Sequence, residues 1–235
     1  RGFPLIKHWP LYRGDVRDFD YGSLSEDIDL VAGGPPCQPF SIGGKHGGYN
    51  DHRDMFSAMA EVVRQLKPRA FIIENVRGLT RPKFANYYQY ILDQFAMPEI
   101  VPREGEHWMD HLARLEREKT SSRHLDLTYE VNPRLLNAAD YGVPQKRERV
   151  FIVGFRSDQP VEWSFPDETH SADLLLRDQW VTGEYWDRHR IPRKDRPVVP
   201  DQLARKVDRV RQCNALASSG VRPWRTVRDA FADLP

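Results

Sequence analysis

Three short apolar runs punctuate a largely polar chain. Ile28-Asp29-Leu30-Val31-Ala32 reads as a buried strand, ended by Gly33 and Gly34. Ala70-Phe71-Ile72-Ile73 reads as a second strand, closing in Glu74-Asn75-Val76-Arg77-Gly78-Leu79. Val150-Phe151-Ile152-Val153-Gly154-Phe155 reads as a third. Between the first two, Met55, Phe56, Met59, Val62, Val63 and Leu66 recur at helical spacing, with Asp54 as the expected N-cap and Pro68 as the stop. Tyr87 to Phe95 predicts another helix. Strand, helix and strand in this order are the pattern of a parallel α/β sheet. Leu11-Tyr12 is read as closing a short strand, 127–136 as a loosely alternating one, and 201–212 as a helix. Residues 97–127 read as an insertion. It opens on Pro98 and Pro102 and carries an amphipathic surface helix marked by Trp108, His111, Leu112 and Leu115. After Arg156 the periodicity fades, and 157–235 reads as an irregular, proline-rich, basic segment. No internal repeat interrupts this order.

Composition narrows the class. A chain of 235 residues, 40% hydrophobic, can bury one domain core with an appendage. No apolar run approaches the ~20 residues of a membrane span. Arg1-Gly2-Phe3-Pro4 has no signal-peptide pattern. Two cysteines, Cys37 and Cys213, exclude a disulfide framework and a four-cysteine zinc site. They fit a reducing, cytosolic setting. His46, His52 and His107 lack metal-ligand spacing, and no metal is assigned. The net charge of +1 announces no nucleic acid, but charge is uneven. Arg188 to Arg196 reads Arg-His-Arg-Ile-Pro-Arg-Lys-Asp-Arg, and Arg205, Lys206, Arg209 and Arg211 follow. Such a run is either a solvated face or a phosphate-binding edge.

The chemistry centres on Pro35-Pro36-Cys37-Gln38-Pro39-Phe40-Ser41. A thiol on a proline-stiffened turn at the end of a buried strand is placed for attack on a substrate. The plainer alternative is a small buried hydrophobe. Four glycines in residues 42–54, directly after that turn, read as a hinged lid. Polar clusters sit at one end of each apolar strand: Cys37 after the first, Glu74 at the end of the second, Gln145 to Arg149 before the third. Ligands of open parallel sheets bind beyond the carboxyl ends of the strands. If the third strand runs antiparallel, its start joins that edge. A nucleophilic thiol, a carboxyl and a cation would then share one pocket.

Pro-Pro-Cys-Gln-Pro-Phe-Ser, Glu-Asn-Val and Gln-Lys-Arg-Glu-Arg, in this order and spacing, closely resemble the DNA (cytosine-5) methyltransferases. Gly14-Asp15-Val16, Asn137 to Pro144 and the closing Thr226-Val227-Arg228-Asp229-Ala230 are also similar to that family. The resemblance covers roughly residues 11 to 156 and touches the tail. It implies a Rossmann-like, S-adenosylmethionine-dependent methyltransferase fold, α/β, mostly parallel with one antiparallel strand. By the same resemblance Cys37 attacks C6 of cytosine, and Glu74 hydrogen-bonds N3 and the exocyclic amine. Arg149 holds the base O2, and Arg147 orients thiol and base. Asp15, Val16 and Pro36 are the cofactor-binding residues. Gln38, Ser41, Gly43 and Gln145 meet double-stranded DNA, whose target base must be flipped out. Asn75 is expected to brace backbone, and Cys213 to be structural or idle.

The chain also departs from the family pattern. No glycine-rich loop for the methionine part of the cofactor precedes Leu11, and no G-x-G-x-x-G occurs. Residues 1–156 are therefore expected to form a partial catalytic domain, incomplete at both ends. Residues 157–235 are expected to lead toward an absent target-recognition domain. Another segment, a second copy or a separate chain is expected to complete the sheet, or else residues 1–27 to cover its edge, and the chain alone to hold S-adenosylmethionine weakly. The resemblance implies a bacterial-type restriction-modification enzyme, cytoplasmic and nucleoid-associated. Methylation of transfer RNA, or a non-catalytic subunit of a split methyltransferase, stays open beside it.

Overall fold

The computed structural model describes residues 10–24, 27–36, 55–121, 124–213 and 220–232. Cys37, Gln38, Ser41, Gly43, the glycine-rich loop and Asp54 lie outside the described residues. The chain divides into two compact units, residues 1–133 with 152–161, and 134–151 with 162–235.

A four-stranded sheet holds β1 (Leu30–Gly33), β2 (Ala70–Val76), β3 (Tyr129–Asn137) and β4 (Glu148–Arg156) in the order β1-β2-β4-β3. β1 and β2 are parallel, with Leu30 opposite Ala70 and Gly33 opposite Ile73. At the far end of β4, the Arg156 amide donates to the Arg69 carbonyl just before β2, and Ser157 donates to Thr128 just before β3. β4 therefore runs against both neighbours, and the sheet is mostly parallel with one antiparallel strand, as the sequence implied. β1 and β3 are the edge strands of this sheet among the described residues. Only Val31 is buried in β1, while Leu30 is 50% exposed.

In the first unit α1 (Phe56–Leu66) crosses from β1 to β2, burying Phe56, Ala60, Val62 and Val63. It ends where Lys67 turns left-handed (φ 45°), ahead of Pro68. β2 runs two residues past Glu74, so that carboxylate stands within the strand and not at its tip. α2 (Ala85–Ala96) follows. Phe71 is fully buried, its ring 5.1 Å from Phe95 and 5.3 Å from Tyr129. Room for it comes from Gly154 of β4, where a Cβ would lie 2.2 Å from the ring tip of Phe71.

The segment 97–127 carries α3 (Trp108–Thr120), docked through buried His111 and Leu115. The His111 Nε2–H donates to the Ile100 carbonyl (2.8 Å), which leaves Nδ1 to accept from the Tyr90 hydroxyl (3.0 Å). Burial holds the His111 pKa below its ordinary value. Arg114 forks onto Glu106, with bonds of 3.0 and 2.7 Å. Residues 10–24 form two short 3-10 turns, Val16–Asp18 and Tyr21–Ser23, and no strand at Leu11-Tyr12. The reason is visible in Leu11 itself, which has no partner strand among the described residues and is almost fully exposed.

The tail, read as irregular, is folded in the second unit. It forms β5 (His170–Ser171), α4 (Ala172–Arg177), a π turn over Asp178–Thr182, α5 (Glu184–Arg188), α6 (Asp201–Gln212), β6 (Arg222–Pro223) and α7 (Val227–Ala230). These elements are too short for periodicity to register and are set by caps instead. Ser171 caps α4, and Thr226 with Asp229 forms a reciprocal capping box at α7. Only α6, with Val207 and Val210 buried, is long enough to show a stripe. Among the described residues no helix is long and apolar enough to cross a membrane.

Candidate active site

The turn that leads to Cys37 is pinned to the end of β2. Register places Gly33 beside Ile73, so the chain after β1 runs alongside Glu74 and Asn75. Asn75 is buried. Its Nδ2 donates to the Pro35 carbonyl at 2.9 Å, and its Oδ1 accepts from the Val76 amide at 2.8 Å. Asn75 thus braces backbone on both sides. The Glu74 carboxylate, half-buried, lies against the backbone of Gly34: a Cβ there would be 3.5 Å from Oε2. Gly33 leaves room for the Met59 methyl, which would stand 2.8 Å from a Cβ at that position. Two glycines, two prolines and one amide therefore fix the chain just before Cys37 against a carboxylate.

Asp15 and Val16 border an open depression of about 550 Å³ lined also by Tyr12, Gly14, Phe19 and Tyr21. Phe19 meets Tyr12 and Tyr21 edge-on, at 5.0 and 4.9 Å between ring centres. The Tyr21 hydroxyl donates to the Val16 carbonyl. Both oxygens of Asp15 accept from the Arg17 guanidinium, at 2.9 and 2.5 Å, and the Arg17 amide adds a third bond. This bonding to Arg17 holds the Asp15 pKa at about 2. Arg17 was not singled out from the sequence; its spacing of two from Asp15 is the signal that could have found it. Pro36 lies exposed beyond Pro35.

In the second unit, Asn137 closes the turn between β3 and β4. Its Oδ1 accepts from the amides of Ala139 (3.4 Å) and Arg147 (3.1 Å), while the Ala138 amide donates to the Arg147 carbonyl. Gln145 and Arg147 are exposed, and Arg149 is half-buried in β4 with one guanidinium N–H on the Glu148 carbonyl. The basic run is neutralised in part. Arg188 pairs with Asp178 and Asp229, Arg196 with Asp187, Arg209 with Asp173 and Arg211 with Asp208. Arg190, Arg193, Lys194, Arg205 and Lys206 have no ion-pair partner among the described residues. Cys213 is a free, exposed thiol.

Comparison with known proteins places this arrangement. The family model described as C-5 cytosine-specific DNA methylase matches residues 5–97 and 110–207. The break at 98–109 falls inside the segment read as an insertion. The type II methyltransferase M.NaeI of Lentzea aerocolonigenes is 35% identical over 183 residues, covering 74% of this chain and 37% of that protein. M.NgoMIV of Neisseria gonorrhoeae is 33% identical over 187 residues, 76% of this chain and 50% of that protein. M.AquIA of Picosynechococcus sp. is 30% identical over 234 residues, 96% of this chain and 71% of that protein. The chain thus spans between a third and a half of the first two relatives.

Proposed function

Because the chain belongs to the C-5 cytosine-specific DNA methylase family, we propose that it takes part in methyl transfer to C5 of cytosine in double-stranded DNA through a covalent adduct on Cys37. The observation that carries this reading is the Asn75 to Pro35 bond, which fixes the approach to Cys37 beside Glu74. The family, DNA methylases, and the relatives, type II methyltransferases, support DNA as the substrate over transfer RNA and a modification enzyme over a non-catalytic subunit.

Each side chain has a chemical task. The Cys37 thiolate adds to C6 of the flipped base, and the electron pair moves toward C5 and N3. Glu74 hydrogen-bonds N3 and the exocyclic amine, where that charge develops. Arg149 holds O2, and Arg147 orients thiol and base. C5 then takes the methyl carbon, whose bond to the donor's sulfonium sulfur would break with its electron pair left on that sulfur. Loss of the C5 proton to a base drives the cysteine sulfur off C6 and restores the ring. Gln38, Ser41, Gly43 and Gln145 meet the DNA.

S-Adenosylmethionine, when bound, supplies an electrophilic methyl group. The aromatic-lined depression fits its adenine: Asp15 offers an acceptor for the amino group and Val16 an apolar contact, with Pro36 on the path to Cys37. DNA carrying 5-fluorocytosine tests the reading, because fluorine cannot leave as a proton does. The full-length protein should form a denaturation-resistant adduct, Cys37→Ala should form none, and Glu74→Gln should form it roughly 10²-fold more slowly. An adduct on the Cys37→Ala variant would overturn the assignment.

A further inference from the structure

The turn that feeds the arginine segment is clasped from outside by the tail. Asp140 sits in the short turn Ala138–Tyr141, and the indole N–H of Trp224 donates to its Oδ1 at 2.7 Å. The same residue's carbonyl accepts from the Thr169 amide at 2.9 Å, and the neighbouring Tyr141 hydroxyl donates to the Pro166 carbonyl. Gly142 then turns left-handed, with φ 86°. Its missing side chain is replaced by the buried ring of His170: a Cβ there would lie 2.7 Å from Cε1 and 3.1 Å from Nε2. His170 and Trp224 are themselves tied together, since β5 and β6 pair and the Trp224 amide donates to the Ser171 carbonyl. The stretch after Trp224 is anchored in turn by the Thr226 capping box and by the Tyr185 hydroxyl against Thr226.

We propose that Trp224, Asp140 and His170 are positioning residues for Arg147 and Arg149, an inference that rests on the reading in which those arginines face the base. Asn137 fixes the mouth of the turn, by its bonds to the Ala139 and Arg147 amides. Asp140 to Gly142, beyond those bonds, lies against the tail. A tryptophan 84 positions away and a histidine under Gly142 hold it there. Indole is a donor only, on a side chain with two torsions, and its acceptor is a carboxylate, so the bond is both directional and charge-assisted. A shift of about 1 Å in a positioning residue can cost roughly 10²-fold in rate. The tail thereby acts on the chemistry without touching the substrate.

The test uses the full-length protein, with single-turnover adduct formation on 5-fluorocytosine DNA, KM for S-adenosylmethionine, and thermal unfolding. Trp224→Phe keeps the ring and loses the donor. Asp140→Ala loses the acceptor, and Asp140→Asn keeps one. Trp224→Phe and Asp140→Ala should each slow adduct formation at least about tenfold while KM stays within twofold. The double variant should be no slower than either single, because both break one bond. Asp140→Asn should stay within about threefold of the natural protein. If Trp224→Phe does not fold, Asp140→Ala breaks the same bond from the other side. Unchanged rates, full additivity, or losses no greater than the unfolded fraction would overturn the proposal. Arg149→Ala separates the two levels: an unaffected rate in that variant would sink the reading of the arginines themselves.

Discussion

Asn75 joins two segments 40 residues apart, its amide donating to the Pro35 carbonyl while its carbonyl oxygen accepts from Val76. Removing it strands a buried amide and a carbonyl at once. Asn75→Ala should lower the unfolding free energy by about 1–3 kcal/mol, the cost of leaving buried polar groups unmade. Urea unfolding measures this. It should also slow adduct formation at Cys37, and an unchanged midpoint with an unchanged rate would show that the bond holds nothing.

Gly154 is the second pressure point. A methyl group there meets the ring of Phe71, which Phe95 and Tyr129 already enclose. Gly154→Ala should destabilise by about 1–3 kcal/mol through overpacking. Adding Phe71→Leu should restore part of that loss in thermal unfolding. A double variant less stable than the sum of the two singles would contradict the clash.

Glu106 gives a pH dependence with a definite sign. Its bonds to Arg114 lower its pKa from 4.5 to about 2. A depressed carboxylate pKa adds stability that is fully present above the unfolded value and is lost as pH falls toward the folded one. Glu106→Gln should therefore be less stable than the natural protein above pH 5. That gap should narrow between about pH 4.5 and pH 2. A gap constant across that window would remove the ion pair as its cause.

The strands, α1, α2 and α6 are legible in the sequence because each is long enough to show its period. The β1-to-β2 crossover and the strands bearing Glu74 and Arg149 follow from that. The tail is less legible. Ser171 and Thr226 act as single caps, and two-residue strands carry no alternation. The aspartates that neutralise the basic run, Asp173, Asp178, Asp187 and Asp229, are scattered singly over 57 positions, so only folding reveals the pairs. The Trp224 to Asp140 bond is hidden for the same reason.

Those pairs change what the basic run can do. On the proposal that the chain meets DNA, replacing Arg190, Arg193 and Lys194 by Gln should flatten the salt dependence of DNA binding by about 0.9 per lost phosphate contact. Replacing Arg188, Arg196 and Arg209 should leave that slope in place and lower thermal stability instead, since their partners are within the fold. Filter binding across a salt series separates the two sets. Equal slopes for both would mean that neither set touches phosphate.

The antiparallel course of β4 makes the site sensitive to counting. Successive residues of a strand point to opposite faces, so Glu148 and Arg149 address different sides of the sheet. β4 is flanked by β2 on one side and β3 on the other, and it cannot slip without breaking both ladders. A residue inserted or deleted between Ala138 and Arg147 must be absorbed within the turn, or Arg149 yields its place, to Glu148 on insertion and to Val150 on deletion. The length of this turn is thus constrained along with its Asp140 and Gly142.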